Sequence, residues 1–312
     1  MTHSQPQKKS LPNEALRNQG INWHVAGMFD KDRIITDFIK IITNEFDNPN
    51  PVKSVYGAPN YLWNAESFTV YCGKPEIEMT ISSFERERIP TFLTFTNTRI
   101  EQKDLADTSS NYLLERVSKK RGNGIVVSSD ILSDYVRSKF PDLKQVASLP
   151  KVADPKNKRD KAFYEGLASR FDKVFIHPSD NFNLDLLASL DNKKKFEIIV
   201  NLDCILDCPH YTKCTEPSYN FLELDEKHTF WEKNCIACHK QILIGKGKEN
   251  EKRLRNNNLT MDEVDELYKM GFTNFQIMGR GRSIFTYTND LTRYILEPTF
   301  IGPLVFKLLI GT

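Results

Sequence analysis

Long apolar segments are missing from this sequence of 312 residues. The longest candidate, Phe300 to Ile310, is too short for a membrane-spanning helix and contains Gly302, Pro303 and Lys307. The segment 1–20 is polar and lacks the apolar core of a secretory signal. We therefore expect a cytoplasmic protein in which residues 1–20 form a disordered arm.

A strong excess of charge of one sign is also missing. The 43 Lys and Arg residues nearly balance the 41 Asp and Glu residues, which leaves a net charge of +2. This balance provides no electrostatic argument for nucleic acid as the main partner, although a local basic patch would suffice for RNA.

Several catalytic motifs are absent. No GxGxxG and no P-loop sequence occurs at a strand–helix junction, which weighs against a dinucleotide or P-loop site. There is no HExxH motif and no identifiable protease triad. The CxxxCxxC spacing of radical adenosylmethionine enzymes is not met either, since five residues separate Cys208 from Cys214.

The cysteines are few but clustered. Of six in the chain, five lie between Cys204 and Cys238, and only Cys72 stands apart. In a reducing compartment such clustering favours metal ligation over disulfides. The CxxxC pair Cys204 and Cys208 and the CxxC pair Cys235 and Cys238 supply the four thiolates of a 4Fe–4S cluster, with zinc as the alternative. Cys214 is a possible alternative ligand.

Short apolar strands alternate with helical patterns along most of the chain. The predicted strands are Val52 to Tyr56, Pro90 to Phe95, Gly124 to Val127, Gln145 to Leu149, Lys173 to Ile176, Phe196 to Val200 and Phe272 to Met278. The predicted helices are Asp32 to Phe46, Ser109 to Ser118, Ile131 to Phe140, Asp160 to Ser169, Leu184 to Ala188, Met261 to Met270 and Tyr287 to Leu296.

This alternation indicates βαβ units and a parallel sheet. We predict an α/β protein with one TIM-like (β/α) barrel domain over residues 21–312, closed or partly open, with an open doubly wound sheet as the alternative. The Cys-rich segment 201–240 is an insertion toward its C-terminal side.

Polar side chains follow several predicted strands, where barrel active sites are built. His177 is a candidate general acid or base, or a substrate hydrogen-bond donor. Asn97 and Asn201 end two other strands and are candidate substrate-binding residues. Arg280 and Arg282, in a Gly-Arg-Gly-Arg sequence, could grip an anionic substrate, or could belong to a solvated basic loop.

Two further residues after His177 have a structural alternative. Asp180 and Asn181 belong to the sequence His-Pro-Ser-Asp-Asn that ends a predicted strand. Both residue types favour helix N-caps, so we expect at least one of them to cap the next helix.

The order of several motifs resembles the collagenase-like peptidase U-32 superfamily and its barrel-shaped relatives. The resembling pieces are SVYG (Ser54 to Gly57), a strand ending at Asn97, VVSSDILSDYVRSKFPDLKQVAS (Val126 to Ser148), DKVFIHPSDN (Asp172 to Asn181), EIIVNLDCILDCP (Glu197 to Pro209) and MDEVDELYKMGFTNFQIMGRGR (Met261 to Arg282). The resemblance implies a (β/α) barrel with a 4Fe–4S cluster on cysteines near its mouth. Relatives act in oxygen-independent hydroxylation of ubiquinone precursors and in hydroxylation of RNA bases.

The chain departs from this family at its cysteine segment. Similar sequences read NExCxxxCPxRxxHY, whereas here Leu202 stands at the Glu position, Tyr211 at the Arg position and Cys214 at the His position. These changes leave the substrate and the ligand set open.

We therefore expect an iron–sulfur enzyme of the redox or hydroxylation type, not a protease. Its substrate would be a small anionic metabolite or biosynthetic intermediate, and a protein partner could donate electrons. The alternative is a non-catalytic accessory subunit that carries a cluster or zinc.

Overall fold

A computed structural model describes residues 15–18, 20–64, 72–154, 156–215, 225–226, 228–235, 256–279 and 281–310. Its strands are β1 Asn22–Ala26, β2 Val52–Tyr56, β3 Thr91–Phe95, β4 Gly124–Val127, β5 Lys144–Ala147, β6 Lys173–Phe175, β7 Phe196–Ile199, β8 Asn201–Ile205, β9 Asn256–Asn258 and β10 Asn274–Ile277.

The helices alternate with these strands. They are Asp32–Lys40, Lys74–Arg86, Thr108–Ser118, Asp130–Lys139, Leu149–Val152, Lys161–Arg170, Leu184–Ser189, Tyr211–Thr215, 228–235, Met261–Lys269, Ile284–Ile295 and Pro298–Ile310. Ile41–Glu45 extends the first helix as a π-helical turn, and short 3₁₀ segments cover Gln102–Ala106, Pro178–Phe182 and Lys193–Lys195.

Eight strands form a closed parallel barrel in the order β1-β10-β7-β6-β5-β4-β3-β2. Strand β1 closes the barrel, since Val25 pairs with Ile277 on one side and with Val55 on the other, and its register with β2 shifts between Trp23 and His24. The predicted TIM-like (β/α) barrel is therefore confirmed, and it is closed. The alternative prediction of an open doubly wound sheet is wrong. Strands β8 and β9 form a separate antiparallel pair.

Helix boundaries follow local chemistry. The side chain of Thr260 accepts a hydrogen bond from the Glu263 N–H, and the Glu263 carboxylate accepts one from the Thr260 N–H, a capping box that starts helix Met261–Lys269. Gly271 follows that helix with φ +104°, a conformation that favours glycine. Helix Asp32–Lys40 buries Ile35 and Phe38 against the barrel.

Alternate residues of each strand enter two different cores. Ile125 and Val127 point outward under the helices, whereas Val126 between them points into the barrel. Inside the barrel Tyr56 packs against Phe92 at a ring-centroid distance of 5.2 Å. Each large apolar side chain buried this way contributes about 1.5–3 kcal/mol.

The inner core ends at the cysteine segment. Tyr211 belongs to the same buried group as the aromatic residues inside the barrel, and Cys204 and Cys208 pack against that group. The C-terminal ends of the barrel strands therefore meet the segment that carries the thiols, which makes this end of the barrel its mouth.

Residues near the N-terminus are packed rather than loose. Ala15 and Leu16 are buried in the outer core, and Leu16 forms an isolated antiparallel bridge with Leu296. The Arg17 N–H donates to the Ile295 carbonyl at 3.0 Å. Residues 15–18 of the predicted disordered arm over 1–20 therefore pack against the C-terminal helices; residues 1–14 and 19 lie outside the described ranges, and the disordered arm stays a prediction.

The apolar sequence near the C-terminus forms the helix Pro298–Ile310, which buries Leu304 and Leu308. Among the helices described here, this one included, none has the length and apolar character needed to cross a membrane.

Candidate metal site

The chain leaves the barrel through β8, whose partner is a strand from beyond the cysteine segment. Asn257 on β9 donates hydrogen bonds from its side-chain amide to the carbonyls of Cys204 and Ile205, both at 3.1 Å. The Leu259 N–H donates to the Val200 carbonyl at 2.8 Å. This antiparallel pair holds the backbone at Cys204 against the mouth.

The loop between Cys204 and Cys208 is anchored at its tip. Asp207 has φ 52°, a left-handed conformation that Asp tolerates better than most residues. Its N–H donates to the Ser179 Oγ at 3.1 Å, and the Tyr211 N–H donates to the Cys208 carbonyl at 3.2 Å. The loop that follows β6 therefore supports the CxxxC loop that follows β7.

Four cysteines line one pocket at the mouth. Cys214 lies on helix Tyr211–Thr215 and Cys235 ends helix 228–235, and their sulfur atoms are 3.7 Å apart. Cys204 and Cys208 line the same pocket, together with Ile205, His210, Tyr211 and Asn234. The structure thus brings together three of the four predicted ligands with the alternative Cys214. Cys238 lies outside the described residues.

The electrostatics of the pocket favour a protonated thiol at Cys235 in the absence of a metal ion. Burial raises the pKa of the Cys235 thiol to about 12, and the neighbouring Cys214 adds to this effect. Burial also raises the pKa of Tyr211, and the surrounding cysteines raise it further. A bound cation would reverse this balance by stabilising thiolates.

The donor set suits a soft metal. Cysteine sulfur selects zinc or iron–sulfur clusters over magnesium or calcium, which prefer oxygen. Within the described ranges, no three His, Cys, Asp or Glu side chains are yet arranged to hold a metal ion. The four thiols line one pocket, but their side chains would have to move closer together to bind a metal ion.

His177 lies at the end of β6 beside this pocket. Its Nδ1 accepts a hydrogen bond from the Ser179 N–H at 3.2 Å, so the neutral ring carries its proton on Nε2. The ring meets Tyr211 edge-on with centroids 5.1 Å apart. Burial, and then the nearby Arg159, lower the pKa of His177 to about 4. The catalytic role predicted for His177 stays a prediction.

Asp180 belongs to a network that the sequence did not predict. It accepts hydrogen bonds from the Tyr164 hydroxyl at 2.6 Å and the Arg159 Nε at 2.8 Å. Asn183 caps the helix Leu184–Ser189, so the cap predicted at Asp180 or Asn181 is wrong. A 3₁₀ turn over Pro178–Phe182 separates these two residues from the helix, which starts at Leu184 as predicted.

The two predicted asparagines are fully engaged with protein atoms. Asn97 donates to the Leu62 carbonyl at 2.7 Å and accepts from the Arg99 N–H at 2.8 Å. Asn201 accepts from the Met278 N–H at 2.7 Å and donates to Asp290 at 2.9 Å. Both side chains hold strand ends in place, and their substrate-binding role stays a prediction.

Arg282 is engaged in the same way. Its guanidinium contacts Asp290 at 2.9 Å and Asp203 at 3.0 Å, and it donates to the Asn201 carbonyl. Its side chain is 10% exposed and already has two carboxylate partners. The predicted role of Arg282 in substrate binding stays a prediction. Arg280 lies outside the described residues. Gly279 packs against the Ala26 carbonyl, where a Cβ would approach to 2.4 Å.

A cluster of polar residues occupies the interior of the barrel, and sequence analysis missed it. The Lys173 Nζ lies 2.7 Å from the His24 Nε2, and the Glu197 Oε2 accepts a hydrogen bond from the Tyr56 hydroxyl at 2.8 Å. Burial raises the pKa of Glu197 to about 7, against the opposing effect of Lys173. The available signal in the sequence was Glu197, a charged residue within the apolar run Phe-Glu-Ile-Ile. Alternate residues of a barrel strand point into the barrel, so such a residue can lie inside it.

Comparison with known proteins yields a likeness in structure only. No family model matches the chain, and no curated protein matches it significantly. A solved structure of the U32 peptidase Mk0906 is similar over 90% of this chain and 99% of that one, at 12% identity and a TM-score of 0.46. The matched protein carries the name of the family that the sequence resembles. At that identity and TM-score the likeness carries no conclusion about function.

Proposed function

We propose that this protein is a thiolate-ligated metalloprotein whose metal centre lies at the mouth of a (β/α) barrel. The centre is a 4Fe–4S cluster, and the protein is an oxidoreductase or hydroxylase-type enzyme for a small anionic metabolite or biosynthetic intermediate.

One observation carries this proposal. Cys204 and Cys208 from one loop, Cys214 from the helix that follows it and Cys235 from a later helix line a single pocket. The pocket lies against the buried aromatic group at the C-terminal end of the strands, where barrel enzymes build their active sites. Four thiols around one pocket match the ligand count of a cluster.

The residues fit such a group. Cys204 and Cys208 would hold it from the anchored loop, and Cys214 and Cys235 from the two helices, with Cys238 as a further candidate from the sequence. A bound cluster supplies electron transfer, or Lewis-acid chemistry if one iron has an open position.

The protein's own side chains would prepare the mouth for a polar substrate. His177 presents a neutral ring whose proton is fixed on Nε2, which makes it a hydrogen-bond donor at that atom. Tyr211 separates the pocket from the barrel interior and excludes water from that side. The sequence predicts that Arg280 and Arg282 would hold the anionic substrate group.

A second candidate is a zinc-binding accessory subunit, and one distance favours it. Two thiolates on one tetrahedral zinc, at Zn–S distances of about 2.3 Å, lie about 3.8 Å from each other. The sulfur atoms of Cys214 and Cys235 are 3.7 Å apart. That spacing suits two ligands of one ion.

Anaerobic purification with iron, sulfide and zinc quantitation separates the two candidates. The cluster predicts brown protein with stoichiometric iron and acid-labile sulfide. Alanine at Cys204, Cys208, Cys214 or Cys235 should lower the iron content, whereas the matched control Cys72→Ala should leave it unchanged, because Cys72 lies outside the pocket. Colourless protein with one zinc per chain would support the accessory subunit, and protein with neither metal would refute both.

A further inference from the structure

We infer that Cys214 and Cys235 form a reversible disulfide when a peroxide reaches the metal-free pocket. This inference deepens the proposed function and rests on it, since the disulfide would withdraw two thiols from the metal centre.

Geometry selects this pair. The two sulfur atoms are 3.7 Å apart and both side chains are half-buried, so a small oxidant can reach them. A disulfide bond measures about 2.05 Å, so the sulfur atoms must approach by about 1.7 Å. The two residues lie on different helices and on opposite sides of residues 216–224, so the bond would join two separate walls of the pocket.

The chemistry balances with a hydroperoxide as the oxidant. Cys214, as the thiolate, attacks the peroxide O–O bond, giving a sulfenic acid at Cys214 and releasing water or an alcohol. The second thiol then displaces hydroxide from that sulfur, which forms the S–S bond and releases water. Two thiols lose two electrons and two protons in total, and the peroxide takes up both. A thiol reductant reverses the reaction by exchange.

The consequence is that oxidation of the two thiols would prevent metal binding at this site. Cys204 and Cys208 would remain at the mouth, because Asn257 and Tyr211 hold the backbone on either side of them. At most three of the candidate thiols, Cys204, Cys208 and Cys238, would remain, which is fewer than the four thiolates of the proposed site. The oxidised protein should therefore fail to take up metal until it is reduced.

The test uses the full chain, stripped of metal, reduced and then freed of reductant. One portion is treated with hydrogen peroxide, and thiols are counted before and after. Peptide mapping identifies cross-links, and cobalt titration, followed by its thiolate absorption, reports metal binding. We expect the loss of two thiols, a peptide joining Cys214 to Cys235, loss of cobalt absorption, and recovery of that absorption after reduction.

Variants make the outcome specific. Cys214→Ser and Cys235→Ser should each abolish the cross-link, while Cys72→Ser and Cys238→Ser should retain it, with circular dichroism confirming that each variant is folded. A cross-link from Cys235 to Cys238, or irreversible oxidation without a cross-link, would overturn the inference. Reduced protein that binds no cobalt and no iron would instead refute the proposed function, even if the Cys214–Cys235 cross-link forms.

Discussion

Asn257 holds Cys204 in place through a hydrogen bond of 3.1 Å from its side-chain amide to the Cys204 carbonyl. The two residues are 53 positions apart in the chain, and Asn257 is 2% exposed. Strand β9, which follows the cysteine segment, therefore fixes the backbone at Cys204. It thereby attaches the thiol pocket to the barrel mouth.

Replacing Asn257 by alanine should weaken both the fold and the metal site. Two half-buried carbonyls, of Cys204 and Ile205, would lose their donor, at a cost of about 1–3 kcal/mol in the free energy of unfolding. Partners that orient metal ligands typically contribute about 10–100-fold in affinity. Urea unfolding and cobalt titration measure the two effects.

The matched control for this change is Asn256→Ala on the same strand. The Asn256 side chain accepts a hydrogen bond only from the nearby Asn258 N–H among the contacts described, at 3.2 Å. We expect a much smaller loss of stability and unchanged cobalt affinity. Equal effects of the two variants would contradict the positioning role of Asn257.

His177 should make the protein less stable in mild acid. Its pKa in the folded state is about 4, below the usual 6.5, because burial disfavours the charged ring. Between these values the unfolded chain binds a proton that the folded chain does not, so stability falls as pH drops from 6.5 toward 4. His177 accounts for at most about 3 kcal/mol of this loss in the free energy of unfolding.

His177→Gln removes this titration. Urea unfolding at several pH values from 4 to 8 should show a shallower loss of stability on acidification in the variant than in the original protein. The difference between the two proteins isolates His177 from His24, the other histidine that is buried in the described part of the chain. Parallel curves would show that His177 titrates normally.

Glu197 should have the opposite effect on the pH dependence of stability. Burial raises its folded-state pKa to about 7 from 4.5, so the folded protein binds this proton more tightly than the unfolded chain. Its contribution to stability is full below pH 4.5 and is lost as pH rises through about 7. Glu197→Gln should remove that loss while keeping an acceptor for the Tyr56 hydroxyl.

A second variant checks the cause of this shift. The Lys173 ammonium, 3.8 Å from the Glu197 Oε2, opposes the effect of burial. Lys173→Met should therefore move the loss of stability to higher pH. A loss at the same pH in Lys173→Met and in the original protein would contradict the coupling of the two groups.

Arg282→Ala should destabilise the fold whether or not a substrate is present. The change leaves the 4%-exposed carboxylate of Asp290 without one of its two cationic partners. Breaking a buried ion pair typically costs about 3–5 kcal/mol. Adding Asp290→Asn should recover part of the loss. Unchanged thermal stability of Arg282→Ala would instead favour the predicted substrate-binding role.

Local patterns in the sequence predicted most of the barrel. The strand Gly124–Val127 has the predicted ends because this short buried strand is an uninterrupted apolar run, and β2 also has the predicted ends. Strand β1, with His24 inside it, was missed because polar inward residues hide the pattern. Helices Lys74–Arg86 and Pro298–Ile310 were missed too; the first lacks a side-chain cap and the second contains Pro303.

Residue types and spacing by themselves also determined that thiols cluster and that they follow a barrel strand. Only the tertiary structure decided that the barrel closes, that Cys214 joins Cys235, and that Arg282 is paired with Asp290. These relationships join residues that are distant in the chain, and their energies depend on burial and geometry that no local pattern records. The same reason explains the interior cluster: Glu197 and Lys173 share a site only because β6 and β7 are neighbours in the closed sheet.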